Sequence, residues 1–409
     1  MNWRTIPFDP ARLPPPTLLK LAVAFCAVVG ICDVLTITLF LSGGPTPGLV
    51  RWTLFPDFLV FHAGSRAVLE GHAATVYGFE SFTRLFNAVF GDRLLEHVGF
   101  RPYLYPPQWL ILTLPLALVP VATSYGLFMG LTAALAAALN ARRDWVAWLA
   151  ALTSPAALWT MMSGQNTFLN VALFYGGLRF VIDRRPILGG VLLGLISCKP
   201  QLWVLVPVVL LVGREWRALA STMATAALLI VVSSLVFGPA IWSAYLDFVR
   251  EAASERMVTM MFVVVGDYMT TFLAAARLIG VPPLPAQAIH VVFAAGAVVG
   301  ASVVARRRPW TDAHVAAFAA ATLLISPYNI VYDMLFAMPA AAMLFRRRAA
   351  EGFLPGEPLF YAGLWLCPSL IVKLNQHHLP IAPVLIVILL GLACLTAVGP
   401  PKSAIPARA

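Results

Sequence analysis

The apolar residues of this chain come in unbroken runs of membrane-spanning length, separated by short connectors rich in arginine, and no other feature restricts its possible folds as much. A membrane β-barrel is excluded, because its strands would alternate apolar and polar residues. Residues 18–41 alone make about 36 Å of helix at 1.5 Å per residue, enough to cross a bilayer with some tilt and too long for the core of a cleaved signal peptide. Further runs lie at 109–139, 145–162, 168–182, 187–212, 219–237, 286–305, 313–325, 330–345, 359–372 and 381–398. Of the 409 residues, 60% are apolar and only 11% charged. That charged share is roughly half of a soluble domain's, so an ordinary soluble enzyme is excluded as well. At about 20 residues per span, the apolar content fills on the order of 12 spans. The expected fold is all-α: one polytopic helical membrane domain, residues 1–409, with about 12 transmembrane helices.

The net charge of +10, from 28 basic and 18 acidic residues, follows the connectors. Arg142 with Arg143, Arg184 with Arg185, Arg214 with Arg217, Arg306 to Arg308 and Arg346 to Arg348 sit between runs. The positive-inside rule places these connectors, and with them both termini, in the cytoplasm. The segments left for the other side balance in charge, so the excess reports topology, and no basic stripe interleaved with aromatics argues for nucleic acid. Two long segments then face outward. In 43–106, the first extracytoplasmic loop, stretches 58–69 and 79–95 carry apolar residues at helical spacing, as interfacial helices lying flat on the membrane do. The second, 239–277, holds Arg250, Glu251, Glu255, Arg256 and Asp267 and is expected to contain another surface helix.

Two runs are irregular. Both flanks of 187–212 carry arginines that belong inside, so this run reads as a hairpin of two short helices with Lys199 and Pro200 at its outer apex. The 109–139 run has length for nearly two spans, yet the charge rule admits one. Cys26, Cys32, Cys198, Cys367 and Cys394 lie in or beside apolar runs and read as packing residues, with neither a disulfide framework nor a zinc site expected.

Ionisable groups at membrane depth are costly and therefore candidates for function. Here the polar residues gather at the outer ends of the runs: Asp57, Arg101 with Tyr103 and Tyr105, Gln165 with Asn166, Lys199, Asp267 with Tyr268, Asn329 with Tyr332 and Asp333, and 373–378. Asp57, in Phe-Pro-Asp-Phe, suits either a helix N-cap or a general base raised by partial burial. Lys199, in Ser-Cys-Lys-Pro-Gln, suits a snorkelling side chain, a partner for an acid, or a point charge for a phosphate. Gln165 and Asn166, in Met-Ser-Gly-Gln-Asn, suit a helix break or a substrate contact. Asp333 suits a partner for Lys199 or Arg101, and Asp33 a buried hydrogen-bonding residue. His62 and His72 are widely spaced and His377 and His378 adjacent, so no metal site is expected. With no phosphate-binding glycine loop, nucleotide-binding fold or serine elbow, no cofactor is expected, and any sugar donor should be lipid-linked.

The stretch from Asp57 to Gly71, followed by Val76-Tyr77, resembles the first-loop signature of glycosyltransferase family 87, the polyprenol-phosphate-mannose-dependent mannosyltransferases of the C superfamily. Further pieces resemble it in order: Tyr105-Pro106-Pro107, then Pro115-Leu116 and Pro120, Gly164-Gln165-Asn166, Gly190 to Gly194 leading to Lys199-Pro200, and Ser326-Pro327. The resemblance implies the C-type architecture and an inverting transferase in a bacterial inner membrane. It would move a hexose, mannose first among them, from a polyprenyl phosphate carrier to a lipid or glycan acceptor on the extracytoplasmic face, without a metal. Asp57 occupies the position of the family's catalytic base, and Lys199 with Arg101 would stabilise the departing phosphate. Tyr105, Gln165, Asn166, Asn329, Tyr332 and Asp333 are the candidates for substrate contacts. Where many members carry a histidine after the Ser-Pro pair, this chain has Tyr328 and Asn329, then Tyr332 and Asp333. A polytopic transporter or lipid flippase is the alternative, but transporters favour paired repeats with midplane sites, and no repeat is visible here.

Overall fold

The computed structural model describes residues 15–42, 56–90, 99–142 and 144–399. In chain order its helices are α1 (Pro15–Ser42), α2 (Pro56–Leu69), α3 (Phe79–Phe90), α4 (Pro107–Thr113), α5 (Val121–Asn140), α6 (Trp145–Leu152), α7 (Pro155–Ser163), α8 (Thr167–Ile182), α9 (Pro186–Leu195) and α10 (Pro200–Trp203). There follow α11 (Leu205–Val212), α12 (Trp216–Phe237), α13 (Ala240–Ala252), α14 (Glu255–Val265), α15 (Phe272–Leu278), α16 (Pro283–Ala305), α17 (Asp312–Ile325), α18 (Ala337–Glu351), α19 (Glu357–Gln376) and α20 (Ala382–Val398). Short 3₁₀ turns join several of them, and among the described residues the only β pairing is an isolated bridge between Met269 and Ile330. The chain is all-helical.

Among the described residues three helices are long and apolar enough to cross a membrane unaided: α5, α12 and α16, of 20, 22 and 23 residues. A fourth crossing forms if α6 and α7, bent by 54° at Ser154-Pro155, count as one span. Several of the other apolar helices are short because proline restarts them. Pro107, Pro155, Pro186 and Pro200 each occupy a first helical position, where the missing N–H costs nothing but the preceding helix cannot continue. The 109–139 run divides in this way, Pro115 and Pro120 separating α4 and a 3₁₀ turn from α5, the one segment of the run long and apolar enough to span.

The 187–212 run reverses direction, and its glycines show how. A Cβ on Gly190 would strike Ser221 and the Ala218 carbonyl, and one on Gly194 would lie 2.7 Å from the Thr222 carbonyl. Four residues along α9 thus correspond to four along α12 in the same sense, so these helices run parallel in close small-residue contact. Since α9 and α12 start from arginine-bearing connectors, the α10–α11 segment between them must return, and Lys199 marks the reversal.

The ends that carry arginine are tied together. Arg179 pairs with Asp312, Arg308 with Glu215, and Arg346 with Asp144, while Arg348 Nε lies 3.1 Å from both Glu357 oxygens. Arg179, Arg308 and Arg348 lie in or just after the last turn of one helix, Arg346 one turn earlier in α18, and each acid lies at the start of another helix, the placement the helix dipole favours. Buried aromatic donors satisfy carbonyls at the helix breaks: Tyr175 OH to Phe336 O at 2.6 Å and Tyr125 OH to Met161 O at 2.7 Å.

The expectation of helices lying flat in the first loop is corrected for α2. Phe58, Leu59, Val60, Phe61, His62, Ala63, Gly64, Ser65 and Ala67 are all buried, so α2 is packed within protein on nearly every side. It serves as the centre of a second core with α3, α4 and α13, where Phe82, Phe86, Tyr103, Trp109 and Phe248 interlock. Only α3 keeps the two-sided character read from sequence, burying Phe79, Phe82, Phe86 and Phe90 while Glu80 and Arg84 face outward. Residues 91–95 of that stretch, 43–55 of the same loop and the Asp33 side chain lie outside the described residues.

Candidate active site

Where this second core meets the main bundle, a cavity of about 100 Å³ opens at the end opposite the arginine-bearing connectors. Asp57, Arg101, Tyr105, Gln165, Lys199, Gln201, Tyr328, Tyr332 and Asp333 supply its polar lining, and Val60, Phe61, Phe100, Leu104, Met261, Val264 and Val265 its apolar walls.

Local backbone chemistry fixes each polar group. Asp57 lies in the first turn of α2, one residue past Pro56, so it is inside the helix and not its cap. Gln165 is set by the end of α7: Gly164 adopts a left-handed conformation (φ 67°), its N–H bonds to Met161 O at 3.1 Å, and Gln165 N–H reaches back to Thr160 O at 3.0 Å. That double closure is a Schellman motif, and glycine is the residue that adopts it without strain. Lys199 precedes Pro200 and is therefore held out of the helical region (φ −127°, ψ 78°), turning its side chain out of the α9 direction. Asp333 closes its own turn reciprocally, donating N–H to Ile330 O at 2.7 Å and accepting Ile330 N–H on Oδ2 at 3.1 Å.

The side chains then form two linked groups. Gln165 Nε2 donates to Asp57 Oδ2 and to the Tyr332 hydroxyl, both at 3.1 Å, while its Oε1 accepts from Tyr105 OH at 2.5 Å and from Asn166 N–H at 2.9 Å. Lys199 Nζ donates to Asp333 Oδ1 at 2.7 Å, with 3% and 2% of the two side chains exposed, and lies 5.3 Å from the Tyr332 ring centre. Arg101 rests over the Phe86 ring, and its buried Nε has no hydrogen-bond partner among the described residues. Burial pushes the half-buried Asp57 carboxyl up from the usual carboxylate range, while Arg101, Lys199 and the Gln165 hydrogen bond draw it back and Asp333 adds to the rise.

Two of the residues singled out in sequence lie behind the cavity. Asn166 is fully buried and accepts on Oδ1 from Asn170 at 2.9 Å. Asn329 donates its side-chain amide to Leu323 O at 2.7 Å, and its backbone carbonyl accepts Thr270 N–H at 3.0 Å. Neither lines the cavity, so both support its walls. The 373–378 stretch is also apart from it, with Asn375 bonding the backbone carbonyls of Asp267 and Met269, and His378 that of Leu278. Tyr103 is buried in the second core. Of the alternatives for Asp333, the geometry selects Lys199. Sequence reasoning passed over Gln201, two residues after Lys199, and the apolar wall from α14. The helical spacing of Met261, Val264 and Val265 was the available signal for that wall. Among the described residues no three His, Cys, Asp or Glu side chains gather as metal ligands would.

Fold and site together define an integral membrane protein whose polar chemistry is concentrated at one end of a helical bundle. The chain belongs to glycosyltransferase family 87, whose sequence pattern matches residues 103–327, more than half its length. It is therefore a membrane glycosyltransferase, working between a sugar donor and an acceptor. The matched region includes Tyr105, Gln165, Asn166 and Lys199, while Asp57, Arg101, Asn329, Tyr332 and Asp333 flank it. Comparisons with curated proteins and with solved structures give no match.

Proposed function

We propose that the protein transfers a hexose, with mannose the first to test, from a polyprenyl phosphate carrier to a hydroxyl of a lipid or glycan acceptor, with inversion. The observation that carries this reading is the shared cavity in which the Asp57 carboxylate faces the Lys199 and Arg101 cations. A base and an anion site within one small cavity are what a phosphate-linked sugar and an attacking hydroxyl require.

Asp57 takes the acceptor's hydroxyl proton as that oxygen bonds to the anomeric carbon. The bond from that carbon to the phosphate oxygen breaks, and the electron pair leaves with the polyprenyl phosphate. Lys199 and Arg101 stabilise the negative charge as it develops. Asn166 and Asn329, expected from sequence to touch substrate, are assigned to holding the cavity wall. The arrangement proposed is of about 12 crossings, with α1, the α6–α7 pair, α8, α9, α11, α12 and α16 to α20 joining α5 in traversing the bilayer. Both termini lie in the cytoplasm, and segments 43–106 and 239–277 and the site face the opposite side of a bacterial inner membrane, as the arginine connectors support.

Asp57→Asn is expected to abolish transfer from polyprenyl-phosphate mannose to a membrane lipid extract while the variant elutes as a folded protein in detergent. Full activity in that variant removes Asp57 from the role of base. Profiling which lipid-linked glycans disappear on deletion of the gene identifies sugar and acceptor together.

A further inference from the structure

We infer that Gln165 is a positioning residue that selects which Asp57 oxygen is available for chemistry and gives the two tyrosine hydroxyls beside it opposite hydrogen-bonding senses. The orientation of its amide is fixed from outside. Asn166 N–H can only donate, so the atom 2.9 Å from it must be the amide oxygen. Tyr105 OH, 2.5 Å from that oxygen, must then donate its proton to it, or share it with Asn166 Oδ1 at 3.3 Å. On the other side the amide nitrogen has two protons and no acceptor capacity, so Asp57 Oδ2 and the Tyr332 oxygen both accept.

Three consequences meet in the cavity. Asp57 Oδ2 is occupied, and Oδ1, which takes no hydrogen bond among the described residues, is the oxygen left to receive a proton. Tyr105 has spent its proton and offers the cavity only lone pairs, which suits a sugar hydroxyl. Tyr332 retains its proton as a donor, and its ring already lies beside the Lys199 ammonium, which suits a phosphate oxygen. One buried amide, 3% exposed, therefore divides the cavity into an accepting side and a donating side. That the accepting oxygen of Asp57 performs transfer rests on the proposed function, whereas the ordering of the hydroxyls does not.

The test uses the full chain in lipid nanodiscs and reads the protonated carboxyl stretch of Asp57 by infrared titration, the band being assigned by its loss in Asp57→Asn. Arg101, Lys199, Asp333, Tyr105, Tyr328 and Tyr332 face this carboxyl and stay in place in Gln165→Met. Loss of one hydrogen bond to the ionised form is expected to raise the Asp57 midpoint by about one pH unit. Tyr105→Phe, which leaves Asn166 N–H holding the amide, should raise it less. A midpoint unmoved in Gln165→Met overturns the inference. Should that variant not fold, Gln165→Glu replaces it: a carboxylate there accepts from both tyrosines and repels Asp57, again raising the midpoint, and an unmoved midpoint again counts against the inference. With polyprenyl-phosphate mannose as donor, Tyr332→Phe should lower kcat about a hundredfold, and unchanged kcat withdraws the donor role of Tyr332. A shifted midpoint in a protein whose Asp57→Asn variant still transfers sugar rejects the proposed base and leaves the positioning role of Gln165 standing.

Discussion

Replacing Asp333 by alanine strands the Lys199 ammonium where little of it meets solvent. The two side chains are 3% and 2% exposed and meet at 2.7 Å, so solvent screens the pair hardly at all. Removing one partner of such a pair costs about 3–5 kcal/mol, because the other charge stays buried alone. The loss also takes away the acceptor of the Ile330 N–H, which falls within that range as about 1 kcal/mol. Lys199→Met is milder, since Asp333 keeps the Ile330 N–H and can take up a proton, and about 1–2 kcal/mol is expected. The double variant Lys199→Met with Asp333→Ala buries no charge, so its loss should fall short of the summed single losses by at least about 2 kcal/mol. The assay is unfolding in mixed micelles with increasing dodecyl sulfate, followed by far-ultraviolet circular dichroism. Losses that add to within about 0.5 kcal/mol would falsify the buried pair as an energetic unit. The stable double variant should also bind polyprenyl phosphate far more weakly than the parent, because fold and anion site are then separated.

Further outcomes are expected. Because burial raises the Asp57 carboxyl and a base must be ionised, kcat/KM should climb with pH through a limb above the ordinary carboxylate value of about 3.9, and a limb at or below that value refutes the environment described. Gly164→Ala forces a left-handed conformation on a residue with a Cβ, at about 1–2 kcal/mol, and displaces Gln165; it should reduce kcat more than thermal stability, as paired turnover and melting measurements will show. Gly190→Ala meets a backbone carbonyl of α12 that cannot turn aside, so a loss of about 1–3 kcal/mol is expected in the micelle assay, with donor binding weakened because α9 leads to Lys199. Normal stability in that variant means that α9 and α12 are not in the contact described.

The reversal at Lys199 was legible in the sequence because two arginine clusters flanked an apolar run too long for one span and too short for two ordinary ones. Gln165 and the Ser326-Pro327 turn were legible for a related reason: glycine and proline interrupt helices, and polar residues at such breaks have few other uses in an apolar chain. The count of long spans was less readable, since proline at a helix start and proline in its middle look alike in a hydropathy pattern. The burial of α2 was hidden because His62, Ser65 and Arg66 give it the periodicity of a surface helix, while only packing against α3 and α4 shows that most of its faces are covered. For Asn166 and Asn329 the sequence marked polar residues at the correct depth. Side-chain direction, which decides between lining a cavity and bracing it, depends on turn geometry that spacing does not encode.

The ion pairs at the arginine-bearing ends have a consequence for how the chain enters a membrane. In the orientation proposed, Arg179, Arg308, Arg346 and Arg348 count fully while the helices are still separate, yet each is neutralised once its acid arrives on another helix. The charge asymmetry that steers insertion therefore belongs to the emerging chain and is partly erased by assembly. A variant lacking Asp312 or Glu215 should insert in the correct orientation and fail later, when its helices gather, whereas a variant lacking the arginines is compromised at both stages.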